Sequence, residues 1–210
     1  MADYKTIRGT ATFEYEEKRS RFIATAAFAD TEEKALAVLN AVRAANRTAR
    51  HNVYAYVLQN GRTRYSDDGE PQGTAGMPIL DVLQKNGLTD ICCVVTRYFG
   101  GVLLGANGLV RAYSHSTALA IENAQVKVML PCYPVSIQTD YALYGKIAYH
   151  LPQEDILQLD TIFEDQVELK LLVRDTLWEP LKKELIELTS GQVEIVSGGL
   201  QYADFSKAKK

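Results

Sequence analysis

The stretch from residue 91 to residue 114 reads ICCVVTRYFGGVLLGANGLVRAYS, and it decides the fold of the first part of the chain. Its apolar and β-branched beginning, ICCVVTRYF, predicts a buried strand. The glycine-rich segment that follows predicts a loop, after which Asn107 can cap a helix running to about Asn123. A buried strand joined to a helix by a glycine-rich turn predicts a domain of mixed α and β structure.

Further elements are predicted on the N-terminal side of this stretch. The pair Asn60-Gly61 is a strong hairpin signal between the alternating segments NVYAYVL and RTRYS. Thr31 can cap a helix that ends near Asn46, because two Glu occupy its first turn and apolar residues line one side. The other predicted elements are strands over 6–13 and 20–28, a charged turn over 14–19 and a short helix over 79–85.

The chain beyond residue 126 shows a different order of elements. The βαββαβ order that it predicts is the ferredoxin-like arrangement. Pro180 fits poorly inside the second helix, so a start later than Leu177 is considered. The predicted elements are a strand near 135–139, a helix near 143–147, strands over 156–163 and 167–173, a helix over 177–188 and a strand over 193–196.

The length of 210 residues allows either one large domain or two small ones. A pair of Pro and the loss of the helical pattern near 126–134 mark a boundary. We therefore predict an α+β chain with a first domain over 1–126, a ferredoxin-like domain over 133–203 and a linker over about 127–132.

Charge is distributed unevenly along the chain. The formal net charge of −3 argues against a protein that coats nucleic acid indiscriminately. Ten of the eleven Arg nevertheless precede residue 127, and Arg makes forked contacts with phosphate, so an anion-binding surface is expected in the first domain. Three Cys that cannot all pair, and no apolar run of 18 residues, predict a cytoplasmic chain that does not span a membrane.

The loop SDDGEPQGTAG over 66–76 concentrates acidic residues and glycines. Asp67, Asp68 and Glu70 could together collect Mg²⁺, which prefers oxygen ligands. In the alternative that we favour, Ser66, Asp67 and Asp68 hydrogen-bond to their own backbone, the glycines supply positive φ angles and Pro71 fixes a turn. An ordered exposed loop is also a common place for function. The candidate residues of the loop are Ser66, Asp67, Asp68, Gly69, Glu70, Pro71, Gly73, Thr74 and Gly76.

The glycine-rich loop and the helix after it form a second candidate site. Free backbone amides at a helix start can bind an anion, although this loop lacks the Lys-Ser/Thr ending of a P-loop. At 100° per residue, Arg111, Ser114 and His115 share one helix face. A packing role for the glycines is the alternative. The candidate anion or RNA contacts are Arg97, Gly100, Gly101, Asn107, Gly108, Arg111, Ser114, His115 and, from the hairpin, Arg64.

Two of these residues have a second interpretation. His115 could act as an acid or base near neutral pH, but an ordinary hydrogen-bonded surface His explains it as well. Arg64 and the neighbouring Arg and Tyr of the hairpin suit phosphate contact and base stacking, while Tyr as a strand residue and Arg at a solvated edge fit equally. The Cys and His show neither CxxC nor HExxH spacing, so no structural zinc is expected.

Four stretches of the first domain have long and specific patterns: KRSRFIA at 18–24, HNVYAYVL at 51–58, SDDGEPQGTAGMPIL at 66–80 and TRYFGGVLLGANGLVRAYS at 96–114. In spacing and in residue identity they resemble the IMPACT family, whose bacterial members are called YigZ-type proteins. The resemblance implies a first domain similar to a domain of elongation factor G, with a ribosomal-protein-like βαβ arrangement, and a ferredoxin-like second domain. The chain departs from the family pattern at Gln72, usually Ser, and at Met77, often a basic residue.

The resemblance also implies a setting in translation, because the eukaryotic relatives act in translational control through protein partners rather than by catalysis. We therefore expect a non-enzymatic cytoplasmic factor of translation or stress response. It would bind RNA or a ribosomal surface through the first domain, with no cofactor. One alternative is an enzyme on a phosphorylated or peptide-like small molecule, with metal at Asp67, Asp68 or Glu70 and His115 as acid–base. The other is a protein-interaction module.

Overall fold

The computed structural model describes residues 2–151 and 155–206. The described chain divides into two compact units, one comprising Tyr4–Lys127 and the other the remaining described residues. Each unit combines helices with antiparallel strands, so the predicted α+β class is confirmed. Within the described residues, no helix has both the length and the apolar character that a membrane span requires.

The first unit is built on a five-stranded antiparallel sheet. Its elements are β1 (Tyr4–Ile7), β2 (Thr10–Glu17), β3 (Ser20–Phe28), α1 (Glu32–Ala45), β4 (His51–Val57), β5 (Thr63–Ser66), α2 (Gly76–Lys85), β6 (Ile91–Tyr98) and α3 (Ala106–Glu122). The sheet order is β2-β3-β6-β4-β5, so the strand predicted from ICCVVTRYF lies in the middle. The predicted hairpin is confirmed, because β4 and β5 pair antiparallel on either side of Asn60-Gly61.

Strand β6 separates two apolar cores, because successive side chains of a strand point to opposite faces of its sheet. Cys93 and Val95 pack in the core that α2 and α3 cover. Cys92 and Val94 pack in the core that α1 covers. The apolar run of β6 is therefore unbroken because both faces of this strand are buried.

The helix starts agree with the sequence at α1 and differ at α3. Thr31 caps α1, since its hydroxyl oxygen accepts the backbone N–H of Lys34 at 3.2 Å. Asn107 does not cap α3, so that prediction is wrong. The helix begins at Ala106, and the capping position is Gly105, whose φ of 71° lies in the left-handed region. Glycine adopts this conformation without the steric penalty that a Cβ would bring.

The turn between β2 and β3 is much shorter than predicted. Strand β2 continues to Glu17, and only Lys18 and Arg19, with φ of 47° and 67°, lie in the left-handed region. The prediction of a turn over 14–19 is therefore wrong. The charges that suggested a turn lie on an alternating strand, where Glu14 binds Arg21 at 2.8 Å across the hairpin.

The second unit has the predicted ferredoxin-like arrangement. Its strands form the antiparallel order β10-β7-β9-β8, with β11 paired to the N-terminal part of β7. The two helices alternate with the first four strands in the order βαββαβ, as expected. The elements are β7 (Val126–Thr139), α4 (Tyr141–His150), β8 (Ile156–Phe163), β9 (Val167–Arg174), α5 (Asp175–Leu188), β10 (Glu194–Ser197) and β11 (Gln201–Asp204).

Two details of this unit differ from the sequence prediction. Helix α5 begins at Asp175 and contains Pro180, so a start later than Leu177 is wrong. Burial of Trp178 and Leu181 on one face of α5 outweighs the local cost of the proline, as tertiary packing often does. Residues 127–132, predicted as a linker, lie within β7 and pair in part with β11.

The close approach of Gly100 to the β2–β3 turn can be tested by substitution. A Cβ at Gly100 would overlap backbone atoms of Arg19 and Ser20. Gly100→Ala should therefore lower the free energy of unfolding by about 3 kcal/mol or more, the upper end of the cost of overpacking. Gly101→Ala is the control: its Cβ would meet nothing within 4 Å, so only its φ of 84° opposes the change, at a cost of about 1–2 kcal/mol. Urea unfolding followed by circular dichroism measures both, and equal midpoints would contradict the close approach.

Candidate nucleic-acid interface

The loop from Ser66 to Gly76 is held by its own hydrogen bonds. The Asp67 carboxylate accepts the backbone N–H groups of Gly73, Ala75 and Gly76, at 2.9, 3.1 and 2.8 Å. These amides lie at the start of α2, where free N–H groups need acceptors. A carboxylate at this end of a helix is also favoured by the helix dipole. Asp67 therefore anchors the loop to the helix that it precedes.

Asp68 joins the loop to β4 and α1. One carboxylate oxygen accepts the backbone N–H of Asn52 at 2.7 Å, and the other binds Arg43 at 2.8 Å. The carbonyl oxygen of Asp68 lies 2.8 Å from Nδ1 of His51. Its φ of 45° is left-handed, a conformation that Asp tolerates better than most residues. Ser66 supports the turn, since its Oγ accepts the Asp68 N–H at 3.2 Å.

Glu70 lies inside the first unit with two partners. Its Oε1 accepts hydrogen bonds from Nη1 of Arg97 at 2.7 Å and from the Tyr113 hydroxyl at 2.8 Å. The Arg97 guanidinium carbon also lies 5.6 Å from the ring centres of Phe22 and Phe99. Burial and the neighbouring Glu70 carboxylate raise the pKa of Tyr113, which keeps its hydroxyl protonated as a donor. We call Glu70, Arg97 and Tyr113 the buried cluster.

These contacts bear on the magnesium alternative. The three acidic side chains of the loop are each committed to different partners: backbone amides for Asp67, Arg43 and Asn52 for Asp68, and the buried cluster for Glu70. Among the described residues, no group of three or more His, Cys, Asp and Glu is arranged to hold a metal ion. The backbone-bonding interpretation fits Ser66 and Asp67, which accept backbone N–H groups of the loop, and it fits the positive φ of Gly69 and Gly73. Asp68 and Glu70 instead bind groups outside the loop.

A cleft of about 680 Å³ lies beside α3 in the first unit. Helix α3 contributes one wall, and the end of β2 with its turn contributes another. The polar and aromatic residues that line the cleft are Tyr15, Glu17, Lys18, Arg111, Ser114 and His115. The predicted polar face of α3 therefore opens into this cleft, while Leu109, Tyr113 and Ala120 are buried on the other side of the helix.

The two aromatic side chains of the cleft, Tyr15 and His115, contact each other. The rings of Tyr15 and His115 meet edge to face, with centres 4.8 Å apart. The Tyr15 hydroxyl donates to a Glu17 oxygen at 2.6 Å, and this bond, together with burial, raises the pKa of Tyr15. Among the described residues, neither Lys18 nor Arg111 has a carboxylate within ion-pair distance; Nε of Arg111 donates to the Asn107 carbonyl at 3.3 Å.

The structure brings together only part of the predicted site. Arg111, Ser114, His115 and Gly108 line the cleft, whereas Arg97 and the loop over 66–76 do not contribute to its described lining. Arg97 is buried and its Nη1 is bound to Glu70, so the side chain does not reach the surface as a phosphate contact would.

The other predicted contacts lie elsewhere. Gly100 is bound through its N–H to Oγ of Ser20 at 3.2 Å, and Gly101 is exposed. Arg64 pairs with Glu32 at 3.0 Å, beside α1. Among the polar and aromatic residues that line the cleft, three are not predicted as site residues from the sequence: Tyr15, Glu17 and Lys18. They occupy alternate and turn positions of a charged hairpin, and nothing local to that hairpin indicates that α3 lies against it.

The thiols offer no reactive group near this cleft. Cys92, Cys93 and Cys132 are free and buried. Burial raises the pKa of Cys93 to about 12, and burial also raises the pKa of Cys92. A thiol with a raised pKa is rarely present as the nucleophilic thiolate.

Comparison with known proteins covers both units. The Impact N-terminal domain matches residues 18–121, and a domain of unknown function, DUF1949, matches residues 137–192. The Bacillus subtilis protein named IMPACT family member YvyE is 34% identical over 206 residues, or 97% of this chain and 95% of that protein. The Escherichia coli protein named IMPACT family member YigZ is 32% identical over 86% of this chain and 90% of that protein. A crystal structure titled as that of an hypothetical protein aligns with a TM-score of 0.61 at 30% identity, covering 95% and 98% of the two chains.

These matches define the class as proteins in which an Impact N-terminal domain precedes a DUF1949 domain, which in this chain is the ferredoxin-like unit. The family resemblance that rested on the four stretches of the first domain is confirmed. The chain belongs to the IMPACT family.

The contribution of the buried cluster to stability can be measured. Glu70→Gln should lower the free energy of unfolding by about 3–5 kcal/mol, because the Arg97 guanidinium would stay buried without its counter-charge. Replacing Arg97 by Met in the same chain should recover part of this loss. The exposed pair of Glu14 with Arg21 supplies the control, and Glu14→Gln should move the urea midpoint far less. Similar midpoints for Glu70→Gln and Glu14→Gln would show that the buried pair does not stabilise the unit.

Proposed function

We propose that this chain is a non-catalytic, cytoplasmic accessory factor of translation or of the stress response, and that its first unit binds RNA or a ribosomal surface. The family supplies the translational setting, as the resemblance implies. The single observation that carries the binding proposal is the cleft beside α3, which Lys18 and Arg111 line together with the paired rings of Tyr15 and His115.

The ion pairs of the first unit support this choice of surface. Five Arg of the first unit already have carboxylate partners. They are Arg21 with Glu14, Arg43 with Asp68, Arg62 and Arg64 with Glu32, and Arg97 with Glu70. Lys18 and Arg111 have no such partner among the described residues, so binding a phosphate there breaks no existing ion pair. Lys18 and Arg111 are thus two cations of the cleft that remain available to a phosphate.

The cleft also carries the kinds of group that RNA-binding surfaces use. Cations position the phosphate backbone, and aromatic or His rings beside them can stack on bases. The Glu17 carboxylate lies in the same cleft and limits the positive potential. This balance, on a chain with net charge −3, favours a selective contact over a general affinity for nucleic acid.

The proposal predicts a defined change in the salt dependence of RNA binding. The probe is a fluorescein-labelled single-stranded RNA of twelve nucleotides, followed by fluorescence anisotropy at several salt concentrations. Arg111→Gln should weaken binding and reduce the slope of log K against log salt by about 0.7–1, as expected for one lost phosphate contact.

A matched control separates this effect from a general loss of charge. Arg62→Gln removes the same charge from an exposed side chain that pairs with Glu32 outside the cleft. It should leave the slope nearly unchanged. Equal slopes for the unmodified chain, Arg111→Gln and Arg62→Gln would reject the cleft as the binding surface, and no binding by the unmodified chain would reject the proposed function.

A further inference from the structure

The cleft has more apolar wall than a phosphate contact requires. Val82 from α2, Leu104 from the glycine-rich loop and Ala118 from α3 line it together with the polar residues already described. Its volume of about 680 Å³ lies inside the range of roughly 300–1,000 Å³ found for pockets that enclose small organic ligands. A cleft used only to hold phosphate groups would need cations at a surface and no such volume.

The polar residues are arranged for a ligand with both a charged and a flat part. Lys18 and Arg111 supply positive charge, while the rings of Tyr15 and His115 supply aromatic surface. Glu17 is an acceptor in an otherwise cationic setting. One of its oxygens accepts the Tyr15 hydroxyl, and among the described residues its other oxygen has no hydrogen-bond partner.

We propose that the cleft binds one unstacked base of a single-stranded RNA, with the adjoining phosphates on Lys18 and Arg111. The inference rests on the proposed function. It adds that the RNA is single-stranded and that the protein recognises one of its bases. Apolar walls and aromatic rings accept the faces of the base. The free Glu17 oxygen accepts an exocyclic amino group, so cytosine is preferred to uracil, whose corresponding group is a carbonyl.

The same geometry predicts a preference for single-stranded RNA over duplex RNA. A base inside an A-form duplex is paired and stacked, and side chains cannot read it through the deep, narrow major groove. A base can enter the cleft only after it has left the stack, which costs free energy in a duplex and little in a flexible single strand. Duplex RNA can therefore offer this cleft its phosphates but not a base.

The test fills the cleft without changing its charge. Ala118→Phe places a ring in the space assigned to the base, and Ala41→Phe, at an exposed position of α1, is the matched control. Anisotropy titrations use labelled oligo(rC) and oligo(rU) of twelve nucleotides. Ala118→Phe should weaken oligo(rC) binding about tenfold and leave the salt slope unchanged, since the phosphate contacts remain. Ala41→Phe should change neither.

Two further measurements test whether the protein recognises a base and which base it prefers. The unmodified chain should bind oligo(rC) roughly fivefold more tightly than oligo(rU), and Glu17→Gln should reduce that ratio towards one. An unlabelled RNA duplex of mixed sequence and equal length should compete less well than the single strand. Thermal unfolding of each variant reports whether it is folded, and Ser114→Leu fills the same space from a second position if Ala118→Phe unfolds.

The outcomes distinguish the two proposals. If Arg111→Gln weakens binding but Ala118→Phe and Ser114→Leu do not, the chain binds RNA at this surface and the base-binding inference is overturned. Equal competition by duplex and single strand would overturn it as well. If the unmodified chain binds neither oligonucleotide at low salt, the proposed function itself fails. Loss of oligo(rC) affinity in the filled variants, with an unchanged salt slope, supports both.

Discussion

The ion pair between Glu70 and Arg97 connects three parts of the first unit that are far apart in the sequence. Arg97 lies next to the end of the central strand β6, Glu70 lies in the loop before α2, and Tyr113 on α3 binds the same oxygen of Glu70. Removing two charges from water is costly unless their hydrogen bonds are well formed. The sheet, the loop and α3 must therefore keep the positions in which Arg97 and Tyr113 both donate hydrogen bonds to Glu70.

The buried cluster also determines the position of the cleft, because one face of α3 carries Tyr113 and another face of the same helix lines the cleft. Tyr113 faces inward to Glu70, and the rings of Phe22 and Tyr113 pack edge to face with centres 5.2 Å apart. With the inner side of α3 fixed in rotation, the next residues, Ser114 and His115, must face the β2–β3 hairpin. The side chains proposed to contact RNA are thus positioned by contacts on the opposite face of their own helix.

Much of the fold could be predicted because its signals are local. The Thr31 cap, the Asn60-Gly61 hairpin and the βαββαβ order each depend on residues close together in the chain. The wrong predictions arise where one local sequence pattern is compatible with two structures. Alternating charges over 14–17 suit an exposed strand as well as a turn, and Gly105 provides a helix start two residues before the better-known capping residue, Asn107. Tertiary packing decides between such alternatives, and it is absent from a window of ten residues.

The site was harder to predict, because a charged side chain does not reveal whether it already has a partner. Arg97 and Arg111 are both Arg beside a glycine-rich loop, yet one is buried against a carboxylate 27 residues away and the other lines the cleft. If Lys18 and Arg111 are the principal phosphate contacts, single-stranded RNA would bind with a salt slope of only about 1.4. With such a small electrostatic contribution, the protein must distinguish one RNA from another mainly through the walls of the cleft. At least five of the ten Arg before residue 127 form internal ion pairs, so the number of Arg overstates the charge that is free to bind phosphate, and selectivity must come from shape and hydrogen bonding.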